Sequence, residues 1–455
     1  MPDWVHGPFY PHILYALRGG DRHGIMHAIK RRKICAYPNT HQYDLGANQS
    51  ACLPGISVTR MKFRTLTPDN KLLLSLSFSQ LVAWGSCYYA YAVLMEPVQA
   101  ALGISRSTAA GAYSLGLLVM GLTAIPVGLA IDRGRHFPVL IGGTVATMLG
   151  MLLHAAVQSV WQLYAVWALI GAGMAATLYE SVFAFLIRAY PDDYRKRITF
   201  VTLLGGLAST VFWPLTTLLL AQFGWRGAFV GLAVLQLLGC LLCHFHFVPR
   251  QVGVVATHPQ ARAPAGALLR SRPFVLLALS FTLQSIVLAG LAAHIIGLLA
   301  AANVPAAIAL TAASSIGIMQ VAGRALLLLA GTRLNPAAVA NIVIWLLPLA
   351  IVTLLVVQVS PWFAFLYAFL FGAGNGMMTI VKGTATADLI SRERVAMLNG
   401  VMALPLALAR AAGPVLIATC WDFFGSPRAA VLVILGISSL AAVALMGAYR
   451  QAGAR

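Results

Sequence analysis

The stretch from Gly128 to Arg135 reads Gly-Leu-Ala-Ile-Asp-Arg-Gly-Arg and lies between two long apolar runs of the chain. Charged side chains are costly inside lipid, so this cluster is predicted to lie at a membrane face. There it closes a hairpin between two helices that cross the membrane. An ordinary positively charged surface turn is the simpler interpretation of the same residues.

The composition of the whole chain supports a membrane location. Of its 455 residues, 60% are hydrophobic and 9% are charged. A water-soluble domain could not cover its surface with so few polar side chains. The chain is therefore predicted to be an all-α integral membrane protein whose surroundings are the lipid bilayer.

Apolar runs long enough to span a membrane recur from Leu72 to the C-terminus. A spanning helix needs about 20 apolar residues. The sequence contains twelve such runs, which we number as spans one to twelve. Their predicted bounds are 72–95, 107–131, 137–157, 161–187, 198–222, 226–247, 273–299, 307–330, 337–358, 361–387, 395–420 and 427–449.

The net charge of +19 follows the orientation of these spans. Loops on the opposite side from the termini hold Arg106, Arg226 and Arg428, whereas the side of the termini collects many more cations. Because positive residues stay on the cytoplasmic side, both termini are predicted to be cytoplasmic, with the protein in the inner (plasma) membrane. The excess charge thus implies attraction to lipid headgroups and no nucleic-acid partner. The cations on the terminal side are Arg133, Arg135, Arg195, Lys196, Arg197, Arg250, Arg262, Arg270, Arg272, Arg333, Arg392 and Arg394.

Residues 1–71 form a polar N-terminal segment without helical or strand periodicity. No apolar core follows its basic residues, so a cleaved signal peptide is not predicted. Two interpretations remain. The segment is a disordered cytoplasmic tail, or it lies upstream of a true start at Met61.

An internal repeat divides the chain into two halves. Gly171-Ala172-Gly173 in span four recurs as Gly372-Ala373-Gly374 in span ten, and Phe223-Gly224 recurs as Phe424-Gly425. These matches predict two six-helix halves at 72–247 and 273–455, joined by a cytoplasmic linker at 248–272. A substrate site is expected near the middle of the bilayer, where such parallel repeats meet.

The turn at Gly128–Arg135 resembles the signature loop of the major facilitator superfamily. That loop reads Gly-x-Leu-Ala-Asp-Arg-x-Gly-Arg/Lys between spans two and three, one residue longer than here. The resemblance covers Leu72 to about Tyr449. It implies twelve transmembrane helices in two pseudo-symmetric six-helix halves, and a secondary transporter that works by alternating access.

The same resemblance assigns a conformational gate to Gly128, Asp132, Arg133 and Arg135. In the family, the aspartate lies near the N-terminus of span eleven, where a negative charge meets the positive end of the helix dipole. The glycine allows the two helices to approach closely. Because span eleven is predicted to start near Val395, Asp132 is expected close to that residue.

Scattered residues are similar to the monocarboxylate transporter branch and its bacterial relatives. They are Trp84-Gly85 with Tyr88-Tyr89 in span one, the segment 224–229, and the polar residue four positions before Arg324. Members of that branch commonly move small organic anions together with protons. They usually have an aspartate where this chain has Gln320 and a lysine in span one, which this chain lacks.

Four ionisable residues lie inside the predicted spans: Glu180, Arg324, Lys382 and Arg410. A charge in mid-membrane costs roughly 2.5 to 3.5 kcal/mol, so each one needs a reason. Three cations in the second half against one anion in the first favour a small anionic substrate. Its carboxylate would form paired hydrogen bonds with Arg324, while Lys382 and Arg410 are further binding residues.

Each of these residues also has a structural interpretation. Arg324 and Lys382 could extend toward the membrane surface, or Arg324 could bind a backbone carbonyl. Arg410 could donate to the carbonyl that Pro414 frees. Glu180 could pair with Lys382 across the halves, or it could carry the coupling proton, since burial favours its neutral form.

Two aromatic residues of span one complete the predicted site. Trp84 and Tyr88 are four positions apart and share a helix face, whereas Tyr89 points elsewhere. The pair either lines the cavity as part of the substrate site or belongs to a lipid-facing aromatic belt.

Other motifs imply no cofactor, no metal and no enzymatic activity. Cys240-Leu241-Leu242-Cys243-His244 matches the pattern for covalent haem attachment, but it lies within an apolar helix at the cytoplasmic end of span six. The sequence contains no Gly-rich phosphate-binding loop for ATP. The favoured hypothesis is a symporter of a small organic anion and protons. The alternatives are a proton-driven exporter of drug-like or metalloid compounds and a non-transporting sensor.

Overall fold

The computed structural model describes residues 67–191, 193–251, 266–330, 336–390 and 395–453, which are helical apart from short turns. Within these ranges, ten helices are long and apolar enough to cross a membrane. One of them, Lys196–Phe247, has 52 residues. It turns at Gly224, where φ is 66° and ψ is 177°, and so crosses twice. With the interrupted first span, the described residues make twelve crossings, as predicted.

Four of the first six spans are interrupted helices. Spans one and six each contain a five-residue π-helical segment, span four breaks at Leu178, and span five breaks after Gly205. Span one consists of Pro68–Trp84, Gly85–Tyr89 and Tyr91–Leu102, span two of Arg106–Asp132, and span three of His136–Ala155. Span four consists of Val160–Thr177 and Tyr179–Ala189. Span five consists of Tyr194–Gly205 and the part of Ala208–Gln236 before Gly224, and span six of the part after Gly224 with Leu237–Leu241 and Leu242–Phe247.

The last six spans are continuous in the described residues. A short helix, Gly266–Leu269, precedes them. They are Arg272–Ala301, Ala306–Ala330, Pro336–Val356, Phe363–Leu389, Val395–Phe424 and Pro427–Gly453. Residues 1–66 of the polar N-terminal segment and residues 252–265 of the predicted linker lie outside the described residues.

Span one is longer than the predicted 72–95. The hydroxyl of Thr67 accepts a hydrogen bond from the backbone N–H of Asn70, and Pro68 occupies the first turn, so the helix begins earlier. It ends at Gly103, which adopts a left-handed φ of 61°. The apolar run stops at Glu96, which explains why hydropathy alone placed the end too early.

The repeated glycines pack in corresponding ways in the two halves. A Cβ atom at Gly171 would collide with span two, and one at Gly173 would collide with span three. At Gly372 it would collide with span eight, and at Gly374 it would lie only 3.0 Å from Leu346 of span nine. Gly224 and Gly425 also share a left-handed φ, 66° and 60°. The sequence repeat therefore reflects a repeat in structure, as expected for pseudo-symmetric halves.

We call the two ends of the helix bundle the basic end and the opposite end. The basic end carries the Gly128–Arg135 turn, and the opposite end carries the turn at Gly103–Ser105. Spans two and eleven pack along each other, as do spans five and eight. The outer piece of span one, Tyr91–Leu102, packs on span seven near the opposite end.

Candidate functional site

A cavity of about 230 Å³ lies between the halves. Spans one, four and five form one side of it, and spans seven, eight, ten and eleven form the other. This placement agrees with the expected site where the halves meet. Its lining includes Trp84, Tyr88, Tyr89, Tyr179, Gly206, Trp213, Ser285, Gln320, Arg324, Tyr367, Asn375, Thr379, Lys382 and Arg410.

All five residues predicted to bind substrate line this cavity. They are Trp84 and Tyr88 from the first half, with Arg324, Lys382 and Arg410 from the second. Trp84 and Arg410, which are more than 300 positions apart in the sequence, thus line the same cavity. Trp84 and Tyr88, whose ring centroids are 5.2 Å apart, both line the cavity and so form part of its wall and not a lipid-facing belt.

Tyr89 also lines the cavity, and the prediction that it points elsewhere is wrong. The reason is the π-helical segment Gly85–Tyr89, in which the N–H of Ala90 donates to the carbonyl of Gly85 at 2.9 Å. A π turn takes about one residue more than an α turn. It therefore brings Trp84 and Tyr89, five positions apart, to the same side of the helix.

Arg324 is buried, with 8% of its surface exposed. Its Nη1 donates to the backbone carbonyl of Thr202 in the other half at 2.7 Å. Its Nε finds no hydrogen-bond partner among the described residues. The guanidinium is therefore only partly satisfied by the protein, and it does not extend to the membrane surface.

The break in span five positions the acceptor for Arg324. Thr202 lies in the last turn of Tyr194–Gly205, where carbonyl groups carry the negative end of the helix dipole. The chain then makes a turn at Gly206 before the next helix begins at Ala208. A Cβ atom at Gly206 would lie 3.1 Å from Arg324 Nη1, so the glycine leaves room for the guanidinium.

Glu180 pairs with Arg410 across the halves, at 3.6 Å from carboxylate to guanidinium. The interpretation that Glu180 pairs with Lys382 is therefore wrong, and so is a bond from Arg410 to the carbonyl freed by Pro414. Span four breaks at Leu178, and Glu180 lies in the first turn of the helix that follows. An acidic side chain is favourable at this positive end of the helix dipole.

A second cavity of about 420 Å³ adjoins the first on its basic-end side. Lys382 and Arg410 line both cavities, and Glu180 lines the second. The Glu180 side chain is 55% exposed, so the burial predicted from the sequence is absent in this conformation. Among the described residues that line either cavity, Glu180 carries the one carboxylate.

Lys382 lines both cavities and has no ion pair within 4 Å among the described residues. Its Nζ lies 5.7 Å from the ring centroid of Phe281, a weak cation–π contact. Because Lys382 lines both cavities, its side chain does not extend to the membrane surface, which was the structural interpretation of this residue.

The halves are fastened together at the opposite end of the bundle. The carboxylate of Asp422 accepts a hydrogen bond from the backbone N–H of Ser107 at 2.9 Å. The guanidinium of Arg106 lies 3.6 Å above the ring of Trp421. These contacts join the start of span two to the end of span eleven and close the cavity on that side.

The predicted gate residues lie at the basic end, away from both cavities. Asp132, Arg133 and Arg135 are exposed. The turn is held to span four of its own half, because Arg188 donates to the Asp132 carbonyl. Residues 391–394 lie outside the described ranges, so the expected contact of Asp132 with the start of span eleven stays a prediction.

Gly128 does not make the close helix approach in this conformation. Among the described residues, no atom lies within 4 Å of a Cβ built there. The close approach of spans two and eleven falls two turns away, where Gly121 packs against Ala407. A role for Gly128 in the other transport state remains a prediction.

One face of span ten was missed by sequence reasoning. Tyr367, Phe371, Asn375 and Thr379 recur at intervals of four and line the cavity with Lys382. Polar residues at helical spacing on a mostly apolar span were the available signal.

The haem-like motif has a packing role in the structure. The thiol of Cys240 donates to the carbonyl of Ser79. The two ring nitrogens of His244 lie 3.1 Å from the hydroxyls of Thr144 and Ser79. These contacts tie span six to spans one and three.

Comparison with known proteins places the chain in a family. The model of the Major Facilitator Superfamily matches residues 76–355, more than half of the chain. The fold is similar to that of a bacterial homolog of the human lysosomal transporter Spinster, with a TM-score of 0.67 and 14% identity over 85% of this chain and 98% of that chain.

Two further solved structures share the fold. The nucleoside transporter NupG has a TM-score of 0.68 and 15% identity, over 84% of this chain and 100% of its own. The peptide transporter POT in complex with alafosfalin has a TM-score of 0.66 and 17% identity, over 84% and 95%. Identities this low concern the fold alone.

Proposed function

Since this chain belongs to the Major Facilitator Superfamily, whose members are membrane transporters and not enzymes, we propose that it moves a small organic anion together with protons. The substrate is monocarboxylate-like, and transport proceeds by alternating access. The observation that carries this proposal is the partly satisfied guanidinium of Arg324 in the cavity between the halves.

The charge balance of the cavities supports an anionic substrate. Arg324, Lys382 and Arg410 contribute three positive charges, and Glu180 contributes one negative charge among the described lining residues. Cations in a membrane interior require counter-charges. A carboxylate can bind a guanidinium through two parallel hydrogen bonds, which makes it the fitting ligand for Arg324.

The contacts of the two arginines support a coupled mechanism. Each arginine is held by the end of a broken helix in the first half: Arg324 by the Thr202 carbonyl and Arg410 by Glu180. A substrate carboxylate competes for these positions. When the carboxylate bound at Arg324 also draws Arg410 away from Glu180, the Glu180 carboxylate loses its counter-charge and binds a proton. Anion and proton then move together.

Alternating access follows from where the halves touch. In this conformation the contacts of Asp422 and Arg106 close the opposite end. In the alternative state, we propose that the gate of Gly128, Asp132, Arg133 and Arg135 closes the basic end. We retain the halves 72–247 and 273–455 as the moving units, with the basic end in the cytoplasm of the inner (plasma) membrane.

The test is uptake of labelled monocarboxylates into proteoliposomes under a proton gradient. In Arg324→Ala, we expect uptake to fall roughly 10- to 100-fold, since a hydrogen bond to a charged group contributes about 1.5–3 kcal/mol. Arg270→Ala, which removes an exposed cation outside both cavities, is the matched control and should transport normally.

Two results would contradict the proposal. Wild-type rates in Arg324→Ala would show that this guanidinium does not bind the anion. Efflux of neutral or cationic compounds against protons, unaffected by Arg324→Ala, would support the exporter instead. Arg324→Lys retains the charge and guards against misfolding, because it should keep measurable transport.

A further inference from the structure

The first half presents a continuous aromatic wall to the cavity. Its rings meet in series, with centroids 5.0 Å apart for Tyr179 and Trp84, 5.2 Å for Trp84 and Tyr88, 5.1 Å for Tyr88 and Tyr89, and 5.5 Å for Tyr89 and Trp213. All five residues line the cavity. The edge-to-face angles between several of them leave ring faces and edges available to a planar ligand.

The second half presents cations to the same cavity. Arg324, Lys382 and Arg410 come from spans eight, ten and eleven. The two kinds of side chain are thus divided between the halves. A ligand that contacts both walls needs an aromatic body on one side and an anionic group on the other.

Three buried polar atoms that belong to residues lining the cavity have no hydrogen-bond partner among the described residues. They are Arg324 Nε, Trp84 Nε1 and the Tyr367 hydroxyl, and they come from both halves. Arg324 and Tyr367 are each more than nine-tenths buried. The nitrogens of Arg324 and Trp84 are pure donors, so a ligand that binds them must offer acceptors. One carboxylate and one further oxygen would satisfy this pattern.

The cavity volume favours a ring over a short aliphatic acid. A cavity of about 150 Å³ accommodates benzene in another protein. At about 230 Å³, this cavity has room for one ring, its carboxylate and a small oxygen substituent. An acid of two or three carbons would leave the aromatic wall without contact.

We infer that the substrate is an aromatic carboxylate, with its ring against the aromatic wall of Trp84 and Tyr88 and its carboxylate on Arg324. An oxygen substituent on the ring accepts a hydrogen bond from the second unpartnered donor, Trp84 Nε1. This inference rests on the proposed function, because it names the class of anion that the transporter carries.

The experiment measures binding of small acids to the purified full-length protein by calorimetry. The probes are benzoate, 4-hydroxybenzoate, cyclohexanecarboxylate, acetate and benzamide. We expect benzoate to bind about threefold to tenfold tighter than cyclohexanecarboxylate, which matches it in charge and size, because aromatic pairs add to simple burial. Acetate should bind more than tenfold weaker than benzoate, and 4-hydroxybenzoate should bind tightest.

Variants of the aromatic wall test whether it causes the tighter binding of benzoate than of cyclohexanecarboxylate. In Trp84→Leu, the advantage of benzoate over cyclohexanecarboxylate should disappear. Trp84→Phe keeps a ring at that position and should keep the advantage, which separates loss of the wall from misfolding. Trp161→Leu removes a tryptophan that is 84% exposed and should behave as wild type.

Different outcomes would overturn this inference and the proposed transport of an organic anion on which it rests. Equal binding of benzoate and cyclohexanecarboxylate, or of benzoate and acetate, would overturn the aromatic assignment while the organic-anion proposal stands. Equal binding of benzoate and neutral benzamide, or no binding of any carboxylate, would overturn the organic-anion proposal itself.

Discussion

The ion pair of Glu180 and Arg410 joins the proposed proton carrier to a proposed anion-binding group. The Glu180 carboxylate lies 3.6 Å from the Arg410 guanidinium. Both side chains are partly exposed, 55% and 26%. Ion pairs of this kind contribute little net stability. Arg410 can therefore leave Glu180 for a substrate carboxylate held at Arg324 without a large cost in free energy, which the coupled mechanism requires.

Neutralising Glu180 should separate binding from coupling. In Glu180→Gln, Arg410 loses its fixed counter-charge, so we expect benzoate to bind severalfold tighter. Accumulation driven by a proton gradient should be lost while counterflow persists. Calorimetry and proteoliposome uptake measure the two effects.

A matched variant keeps this prediction specific. Glu96→Gln removes an exposed carboxylate of span one that lines neither cavity, and it should behave as wild type. If Glu180→Gln still accumulates substrate under a proton gradient, Glu180 is not the proton carrier.

Interrupted helices give the first half its functional groups. The break at Leu178 places Glu180 in a new first turn, and the break after Gly205 ends a helix next to Arg324. The carbonyls at the first break are satisfied locally, since Gln80 donates to Thr177 and Ser181 donates to Ala175. Discontinuous helices are tolerated in a membrane where they line a cavity.

Close packing of spans two and four depends on Gly171. A Cβ atom there would collide with the backbone carbonyl of Gly116, which cannot move aside as a flexible side chain could. We expect Gly171→Ala to destabilise the protein by about 1–3 kcal/mol, as overpacked cores do. Thermal unfolding in detergent measures the change.

The control for this packing prediction is Gly436→Ala in span twelve, where a Cβ atom meets open space. It should unfold at the wild-type temperature. Equal unfolding temperatures for both variants would show that the helix crossing at Gly171 adapts to a methyl group.

At the level of the entire protein, transport depends on the balance between two states. Asp422 stabilises the state in which the opposite end is closed, because it caps the first turn of span two from the other half. The free energy of one such cap is about 1 kcal/mol, equivalent to about a fivefold change in the ratio of the two states.

Asp422→Ala removes this cap and should therefore shift the protein toward opening at the opposite end. An Ala292→Cys probe, placed in the cavity lining, should react about fivefold faster with an impermeant thiol reagent applied from that side. The comparison is with Ala292→Cys alone. Unchanged reactivity would mean that the Asp422 contact does not hold this end closed.

Much of the fold could be predicted from the chain alone. Apolar runs of spanning length, interrupted by costly charges, determine where helices cross a membrane, and both properties are local. The repeated glycines predicted the halves, because small residues recur where helices must approach closely. The same reasoning identified Arg324, Lys382 and Arg410 as charges that need a function.

Only the tertiary structure decided which groups meet. Glu180 faces Arg410 instead of Lys382, Tyr89 joins the cavity through a π-helical turn, and Gly121 replaces Gly128 at the close helix approach. These outcomes depend on small rotations of whole helices and on contacts between distant segments. Hydropathy and spacing along one helix carry no information about the rotation of its neighbour, so the partners of each charge emerge only when the halves assemble.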